Sequence, residues 1–499
     1  MRSESYHLRL AWTFPVVLLA ITLILNGCAG SGSKRDRDDT ENDVGASSTF
    51  PVPAEIKDNV DFWRHVYGVW SRGEVALHDD EHMGVIYEVA KIPGAIQAGY
   101  TASQKAWLEA RLGDHASALR GLEERMRSGQ TLTSRDKTLL AKFENSGGSR
   151  AVYGAADRLR AQRGLRERFR RSLEVSGRYD EAFRDIMHSH GVPKDLAYLP
   201  HVESSFQMNA KSSVGASGVW QFMPATGRVY MTVNDNIDER YDPILAADGA
   251  ARYLSQAYRR LKSWPLAITS YNHGQGGMAK AKAQHGDQIG KIVKNYNGKA
   301  FGFASRNYYA EFIAAREVAR NAQRYFPEGI SYEQPWPYDR LVLAHTMPAE
   351  NLARHYGTST ARLADLNLHW RDAVREGRAN LPAGSTIWLP EGSIRRVGSQ
   401  PPSVSASLLA RNPSPPKPAT PRVAAVANTA PVKEKSVAPA RVVATKVTPK
   451  TRYHVVQPQE TLYRVAAING LSVNELRQLN QMGADDDNIR PGQRLKVGI

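Results

Sequence analysis

Apolar residues recur at helical spacing through most of residues 61–325. In AWLEARLGDHASALRGLEERM (106–126) and AADRLRAQRGLRERFRRSLEVSG (155–177) they are interleaved with many Arg and Glu, which predicts helices with one core face and one solvated face over 61–177. Residues 178–325 continue the period in shorter pieces broken by Gly, Pro and Asn: YDEAFRDIMHSHGVP, DPILAADGAARYLSQAYRRLKSW and RNYYAEFIAAREVARNAQRYF. Asp242-Pro243 reads as a helix start, the acid as N-cap and Pro in the first position. No long alternating pattern appears in 178–325, so this stretch is predicted to be a mostly α domain.

The pattern changes elsewhere. Residues 29–60 are polar and charged, and residues 391–450 hold no Phe, Trp or Tyr and are rich in Pro, Ala, Val, Ser and Lys. Neither can bury a core, so both are expected to be extended tethers. Residues 452–497 read strand, helix, helix, strand; Thr461 leads into the first helix, and Ser472 caps the second with Glu475 completing a capping box. Residues 338–390 echo this more weakly. At the N-terminus, Arg2 and Arg9 precede an uncharged apolar run, Ala11 to Leu25. That is the form of an export signal and short for a membrane span.

The net charge of +16 and pI of about 9.7 favour anionic partners or, more plainly, solubility. Export points that charge away from nucleic acid and toward acidic wall polymers and lipid headgroups. The single cysteine, Cys28, excludes an intramolecular disulfide. It follows the apolar run at once in Leu25-Asn26-Gly27-Cys28. This resembles the lipobox of bacterial lipoproteins, which implies acylation of Cys28, removal of the residues before it so that the cysteine becomes residue one, and a membrane anchor. Ala29 after it fits sorting to the periplasmic face of the outer membrane of a Gram-negative cell.

The candidate chemistry lies in HVESSFQMNAKSSVGASGVWQFMPATG (201–227), where Glu203 is the one carboxylate. Leu199, Val202 and Phe206 are near enough in sequence to line an apolar site that raises its pKa. Such an acid can donate a proton near neutral pH, as departure of a glycosidic oxygen requires. The Gly215-Ala216-Ser217-Gly218 run suits a turn where a long substrate approaches the backbone. Trp220, Phe222 and Met223 are candidates to wall a cleft, and Gln221 to offer its amide to an N-acetyl group. Each also has a plain reading: lone acids are mostly solvated, and aromatic residues in helices are mostly core.

Four motifs occur in order over about 110 residues: Glu203-Ser204; Gly218-Val219-Trp220-Gln221 followed by Phe222-Met223-Pro224; Ser270-Tyr271-Asn272 with Gly274; and Tyr308 in a later helix. Together they resemble the lytic transglycosylase domain, a lysozyme-like module that cuts peptidoglycan. Trp220, the run Asp238 to Pro243 and the C-terminal module are most similar to the membrane-bound D branch of that family. Departures from the motifs (Val219, Trp220, Ser270) remove no functional group. The resemblance implies Glu203 as acid and then base, Ser204 and Ser212 in support, Gln221, Phe222 and Met223 at sugar subsites, and Tyr271, Asn272 and Tyr308 orienting the acid or the substrate. It implies no metal or cofactor.

Residues 452–497 resemble a LysM module, on Tyr453, Val455, Gly470, Leu471, Leu476, Leu479, Asn480, Ile489, Pro491, Gly492 and Leu495, which implies binding to N-acetylglucosamine-containing glycans. The echo at 338–390 rests on Leu352, Gly357, Leu363, Leu366-Asn367, Pro382, Gly384, Ile387 and Leu389 and is open between docking and sugar binding. The expected fold is therefore mainly α, a lysozyme-like domain with an N-terminal helical extension and small α/β (βααβ) LysM modules. The expected boundaries are a signal peptide at 1–28, a tether at 29–60, helices at 61–177, the transglycosylase domain at 178–325, the echo at 338–390, a linker at 391–450 and the LysM module at 452–497. Two alternatives stand beside the expected lytic activity. One is a hydrolytic lysozyme, which needs a second acid such as Asp195, Glu239 or Asp242. The other is a non-catalytic wall-binding lipoprotein.

Overall fold

The computed structural model describes residues 49–335, 338–401, 452–456, 465, 473–483, 489–490 and 492–498. The expected signal and lipidation site Cys28, the linker beyond 401 and the predicted capping residues Thr461 and Ser472 lie outside the described residues, as does the side chain of Glu475. The chain divides into two compact units, one of residues 49–223, 230–233 and 239–335, the other of residues 224–229, 234–238 and 338 onward.

In the first unit, α1 (Lys57–Gly68) buries Val60, Phe62, Trp63, Val66 and Tyr67, the 3–4 spacing of one helix face. The region that follows was expected to be helical throughout, but it also holds an antiparallel sheet of β1 (Glu74–Asp79), β2 (Ile86–Lys91) and β3 (Leu159–Arg163), in the order β2-β1-β3. The sheet is hard to read because β1 is buried at every residue after Glu74 and so does not alternate. β3 (LRAQR) looks like helix, but its partner lies some eighty residues upstream, with Val75 opposite Arg163 and Asp79 opposite Leu159. The helical period also breaks at Gly164, where a Cβ would fall 2.3 Å from the carbonyl oxygens of Trp70 and Ser71. Long-range pairing here overrides local propensity. The long helix α2 (Ala102–Ser128), opened by a Thr101–Gln104 capping box, packs Leu112, Ala116, Leu119 and Leu122 with Leu77, Tyr87, Phe143 and Leu159 as a second core.

The larger core is helical. It is built from α1, α3 (Arg166–Ser176), α4 (Asp180–Ser189), α5 (Leu199–Glu203), α6 (Pro243–Leu261), α7 (Trp264–His273) and α8 (Phe303–Arg320). Asp242 caps α6 through 3.0 Å bonds from the Ile244 and Leu245 N–H groups, with Pro243 in the first turn. α1 lies along α8, and a buried polar clasp ties them. Asn307 Oδ1 accepts from Asn59 Nδ2 at 3.0 Å and from Trp63 Nε1 at 3.1 Å.

In the second unit, residues 338–401 run β4 (Asp339–Val342), α9 (Ala349–His355), α10 (Thr360–Leu366), β5 (Thr386–Leu389), the two strands antiparallel. Buried Asn367 joins the second helix to the closing strand. Its Nδ2 donates to the carbonyls of Leu363 (2.7 Å) and Trp388 (2.9 Å), and its Oδ1 accepts from the Trp388 N–H (2.8 Å). At the C-terminus, β6 (Arg452–Val455), α11 (Val473–Leu479) and β7 (Arg494–Gly498) repeat this. Asn480 Nδ2 donates to Leu476 and Lys496, and Oδ1 accepts from the Lys496 N–H. The weak echo at 338–390 is thus built on the same plan, down to one asparagine with three bonds. This first copy also takes in residues 234–238: Ile237 bridges Trp370 and is buried in its core, and Asp238 pairs with Arg371 at 3.0 Å.

Asn367→Ala orphans the Trp388 N–H and the Trp388 carbonyl, at roughly 1–3 kcal/mol per buried group, while the Leu363 carbonyl keeps the backbone N–H of residue 367. The Trp388 amide is expected to exchange with deuterium at least about tenfold faster, while amides of α6 keep their rates. An unchanged Trp388 amide would remove Asn367 from this role.

Candidate active site

Glu203 ends α5, a single helical turn with Pro200 in its opening residues, where a missing N–H is tolerated. The turn is held from behind by His201, which is 2% exposed, stacks on Phe169 at 4.9 Å and bonds Ser172 Oγ through Nδ1 at 2.7 Å. Burial pushes this imidazole down to about 3, so it stays neutral and positions without carrying charge. Past Glu203 the backbone turns back sharply. Ser205 and Phe206 both have left-handed φ, +53° and +56°, a cost of about 1–3 kcal/mol each for residues with side chains. Three contacts hold the turn: buried Phe206 against Phe183 and His201, Ser204 Oγ donating to Val219 O at 2.8 Å, and Arg168 Nη2 donating to Ser204 O at 3.3 Å.

The Gly-rich run forms a short hairpin-like loop in which Ser217 bridges both Lys211 and Phe222. Ser212 shapes its tip: Ser212 N–H donates to Ala216 O and Ser212 Oγ accepts from Ala216 N–H, each at 2.9 Å. Glycine is required at 218 because φ is +77° and a Cβ would fall 1.7 Å from Arg240 O. The backbone that this glycine admits is therefore the chain's own. Buried Arg240 fastens the loop by donating to Gly215 O (2.8 Å) and Phe222 O (3.0 Å).

Three expectations for this segment change. Trp220 walls no cleft: it is fully buried, 5.1 Å from Phe183. Phe222 is 3% exposed and edge-on to Tyr271 at 5.8 Å, so it backs the site rather than facing a ligand. Gln221, at φ +49°, spends its amide nitrogen on Gly218 O (2.8 Å) and Ala210 O (3.3 Å), leaving its carbonyl oxygen to offer. Both side chains are drawn inward because this loop must cover the main core. Met223, 40% exposed, is the one of the three apolar candidates with surface to present.

The Glu203 carboxyl is half-buried. Desolvation pushes it up to about 7, against the opposing pull of one hydrogen bond, donated by Tyr308 OH to Oε1. That bond occupies one oxygen and leaves Oε2 for a ligand. Tyr271 does not bond the acid. Its hydroxyl donates to Trp220 O at 2.9 Å, and burial together with the Glu203 charge holds its own pKa far up. Exposed Asn272 accepts from Ser305 Oγ at 2.8 Å, which fixes its side chain. The three acids considered as a second carboxylate are committed elsewhere. Asp195 is ringed by Arg184, Arg316 and Arg320, Asp242 caps α6, and Glu239 accepts from the Thr232 N–H at 2.6 Å.

Sequence reasoning missed a different acid, Glu311. It lies three residues beyond Tyr308 on α8 and is pushed up to about 8, first by burial and then by the charge of Glu203, against the opposing pull of the Tyr67 hydroxyl of α1. The legible signal was its i+3 spacing from Tyr308 on a helix otherwise apolar on that face. Among the described residues, no group of three or more His, Cys, Asp or Glu side chains is placed to hold a metal. A hollow of about 520 Å³ on the charged outer face of α2, lined by Arg120, Glu123, Glu124 and Arg127, shares no residue with this site.

A glutamic acid that titrates at about 7, on a strained turn and under a tyrosine donor, can both give and take a proton near neutral pH. The family described as the transglycosylase SLT domain matches residues 182–293, and that described as the LysM domain matches residues 454–498. The chain carries a transglycosylase SLT domain and a LysM domain. Membrane-bound lytic murein transglycosylase D of Escherichia coli (strain K12) is 25% identical over 317 residues, 62% of this chain and 60% of that protein. The chain thus spans less than two thirds of that relative's length. A transglycosylase of Enterobacteria phage PRD1 is 32% identical over 105 residues, 21% of this chain and 37% of that protein. Among solved structures, the 70 kDa soluble lytic transglycosylase from Escherichia coli shares 17% identity, covering 46% of this chain and 38% of that one, with a TM-score of 0.26. The SLT match includes Glu203, Gln221 and Asn272 and stops before α8, so Tyr308 and Glu311 come from beyond it.

The raised pKa sets a sign for stability. Folded Glu203 holds its proton to about 7 against an ordinary value of 4.5, so unfolding releases a proton and rising pH favours the unfolded chain across that window. Glu203→Gln removes this dependence. Thermal melts at stepped pH are expected to show the variant's advantage over wild type growing from about 4.5 to about 7 and then levelling. A gap that shrinks with pH would refute the burial argument.

Proposed function

We propose that the chain is an exported lytic transglycosylase that cleaves the β-1,4 bond between N-acetylmuramic acid and N-acetylglucosamine of peptidoglycan. The observation that carries this reading is the Glu203 carboxyl itself, its proton held up to about 7, bound by Tyr308 on one oxygen and free on the other. Glu203 Oε2 gives its proton to the glycosidic oxygen as the C1–O bond breaks, and the cation at C1 is held by the N-acetyl group of the substrate. The carboxylate then takes the proton of the muramic C6 hydroxyl, whose oxygen bonds to C1. The product is a 1,6-anhydromuramic end, with no water consumed and the acid restored. A pKa near 7 suits a group that must both give and take a proton, and the Tyr308 bond eases the ionised interval.

The supporting residues take roles consistent with their contacts. Ser212, which accepts from Ala216, keeps its own O–H to offer an acetamido carbonyl. Exposed Met223 and the Gln221 carbonyl oxygen lie in the same loop. Ser204 holds the turn, Tyr271 and Phe222 form its backing, and Asn272, braced by Ser305, faces solvent at the end of α7. Ordinary glycosidases use two carboxylates. A hydrolytic lysozyme would need a second one as base, and Asp195, Glu239 and Asp242 are all tied to other partners.

The LysM domain would hold the same glycan that the SLT domain cuts, raising the local substrate concentration without a new contact. The lipid anchor at Cys28 and attachment to the periplasmic face of the outer membrane belong to this proposal. Among the described residues no helix is long and apolar enough to cross a membrane.

Digestion of purified peptidoglycan by the full-length chain in detergent, followed by mass analysis of the muropeptides, tests the reading. Ends one water lighter than hydrolytic ends are expected, and Glu203→Gln is expected to release them roughly a hundredfold more slowly or less. Hydrated, reducible ends would make the protein a lysozyme. Sedimentation with peptidoglycan without release of fragments would make it a binding protein.

A further inference from the structure

Three consecutive residues of α8 reach three different partners. Asn307 meets α1: its Oδ1 accepts from Asn59 Nδ2 and Trp63 Nε1, and its Nδ2 donates back to Phe303 O at 3.0 Å. Tyr308 donates to the acid. Tyr309 donates its hydroxyl to the carbonyl of Pro51 at 2.9 Å. Neighbouring residues of a helix are turned by about 100° from one another, so the chain from Phe50 into α1 holds two of these three directions. Phe50 adds to the hold. It is buried, edge-on to Phe312 of α8 at 5.4 Å, with the Arg316 guanidinium 5.6 Å from its ring. Arg316 in turn pairs with Asp195, in the 3-10 turn Lys194–Tyr198 that leads into α5. Further along the contact, Arg64 pairs with Glu317 at 2.7 Å. The holding segment lies upstream of the SLT match at 182–293, and α8 lies beyond it.

We propose that Asn59, Trp63 and the Pro51 carbonyl are positioning groups for the acid: by holding the residues on either side of Tyr308, they fix the rotation of α8 at which the tyrosine hydroxyl meets Glu203. The proposal rests on the reading of Glu203 as the acid. A tyrosine hydroxyl stands at the far end of a long side chain, so a small roll of α8 carries it out of the narrow range of a hydrogen bond. Apolar packing is non-directional and resists such a roll weakly. Hydrogen bonds are directional, and here they are buried: Asn59, Trp63, Asn307 and Tyr309 are each 6% exposed or less. Turning α8 away would leave the Asn307 carbonyl oxygen, two donors of α1 and the Pro51 carbonyl without partners, which makes the hold firm. Asn307 is also fully committed, with two donors on its oxygen and its nitrogen spent on its own helix. The residues that aim the tyrosine therefore come from a part of the chain that holds no group of the reaction.

The test is a double-mutant cycle on the cleavage of purified peptidoglycan by the full-length chain in detergent. Trp63→Phe keeps a ring and removes one donor to Asn307, Asn59→Ala removes the other, and Tyr309→Phe removes the hydroxyl that binds Pro51. Trp63→Phe and Asn59→Ala are each expected to lower the maximal rate by roughly tenfold, and Tyr309→Phe by less. The half-saturating concentration of peptidoglycan is expected to stay unchanged, since all three side chains are buried. In a Tyr308→Phe background the same substitutions are expected to change the rate by less than about twofold, because the bond they aim is already gone. A folded Trp63→Phe or Asn59→Ala protein with the wild-type rate overturns the proposal. Equal losses in both backgrounds also overturn it, because the effect would then be one of general stability. Where neither variant melts cooperatively, Tyr309→Phe carries the test with the same two outcomes. An active Glu203→Gln protein would instead overturn the reading of the acid itself.

Discussion

Everything in the first unit converges on the cost of holding one carboxyl out of water. Left to desolvation alone, Glu203 would keep its proton to a still higher pH; left in solvent, it would lose it in the ordinary carboxylate range. The Tyr308 hydroxyl sets the balance between these extremes, a single bond opposing a general penalty. That balance depends on α8 standing where it does, and α8 stands there because Asn307, one residue before the tyrosine, is clasped by Asn59 and Trp63 of α1.

The strained turn after Glu203 belongs to the same economy. Two consecutive residues with side chains in the left-handed region are tolerated because Phe206 fills the core, Ser204 bonds across to the next loop and Arg168 reaches in from α3. The loop that follows is likewise pinned from inside by Arg240. Rigidity around the acid is therefore supplied largely by residues with no chemistry of their own, several of them from the helices that precede the SLT domain.

Much of the helical architecture was legible, because α4, α6 and α8 keep the 3.6-residue period and α6 announces itself with Asp242-Pro243. The sheet was not, since β1 is buried on both faces and β3 carries Arg and Gln at spacing suited to a helix. Glu203 and Tyr308 could be picked out by order and motif, and geometry then brought their side chains together across 105 residues of sequence. Trp220 and Phe222 were misjudged for a physical reason: a sequence shows that a residue is aromatic but not which side of a loop it takes, and here the core took both. Glu311 escaped notice because an acid on a helix is ordinarily solvated, and only the packing of α1 against α8 makes this one exceptional. The asparagine shared by the two small modules was visible as a letter, but its three bonds were not.

The clasp between α1 and α8 spans 248 residues from Asn59 and 244 from Trp63. A chain emerging from the ribosome, or threading through a membrane pore, has α5 long before it has α8. During that interval Glu203 is an ordinary solvated carboxylate, with no tyrosine above it and no wall to strip its water. The order of synthesis thus acts as a safety catch: the site assembles only after residue 320 is free to fold, wherever in the cell that happens.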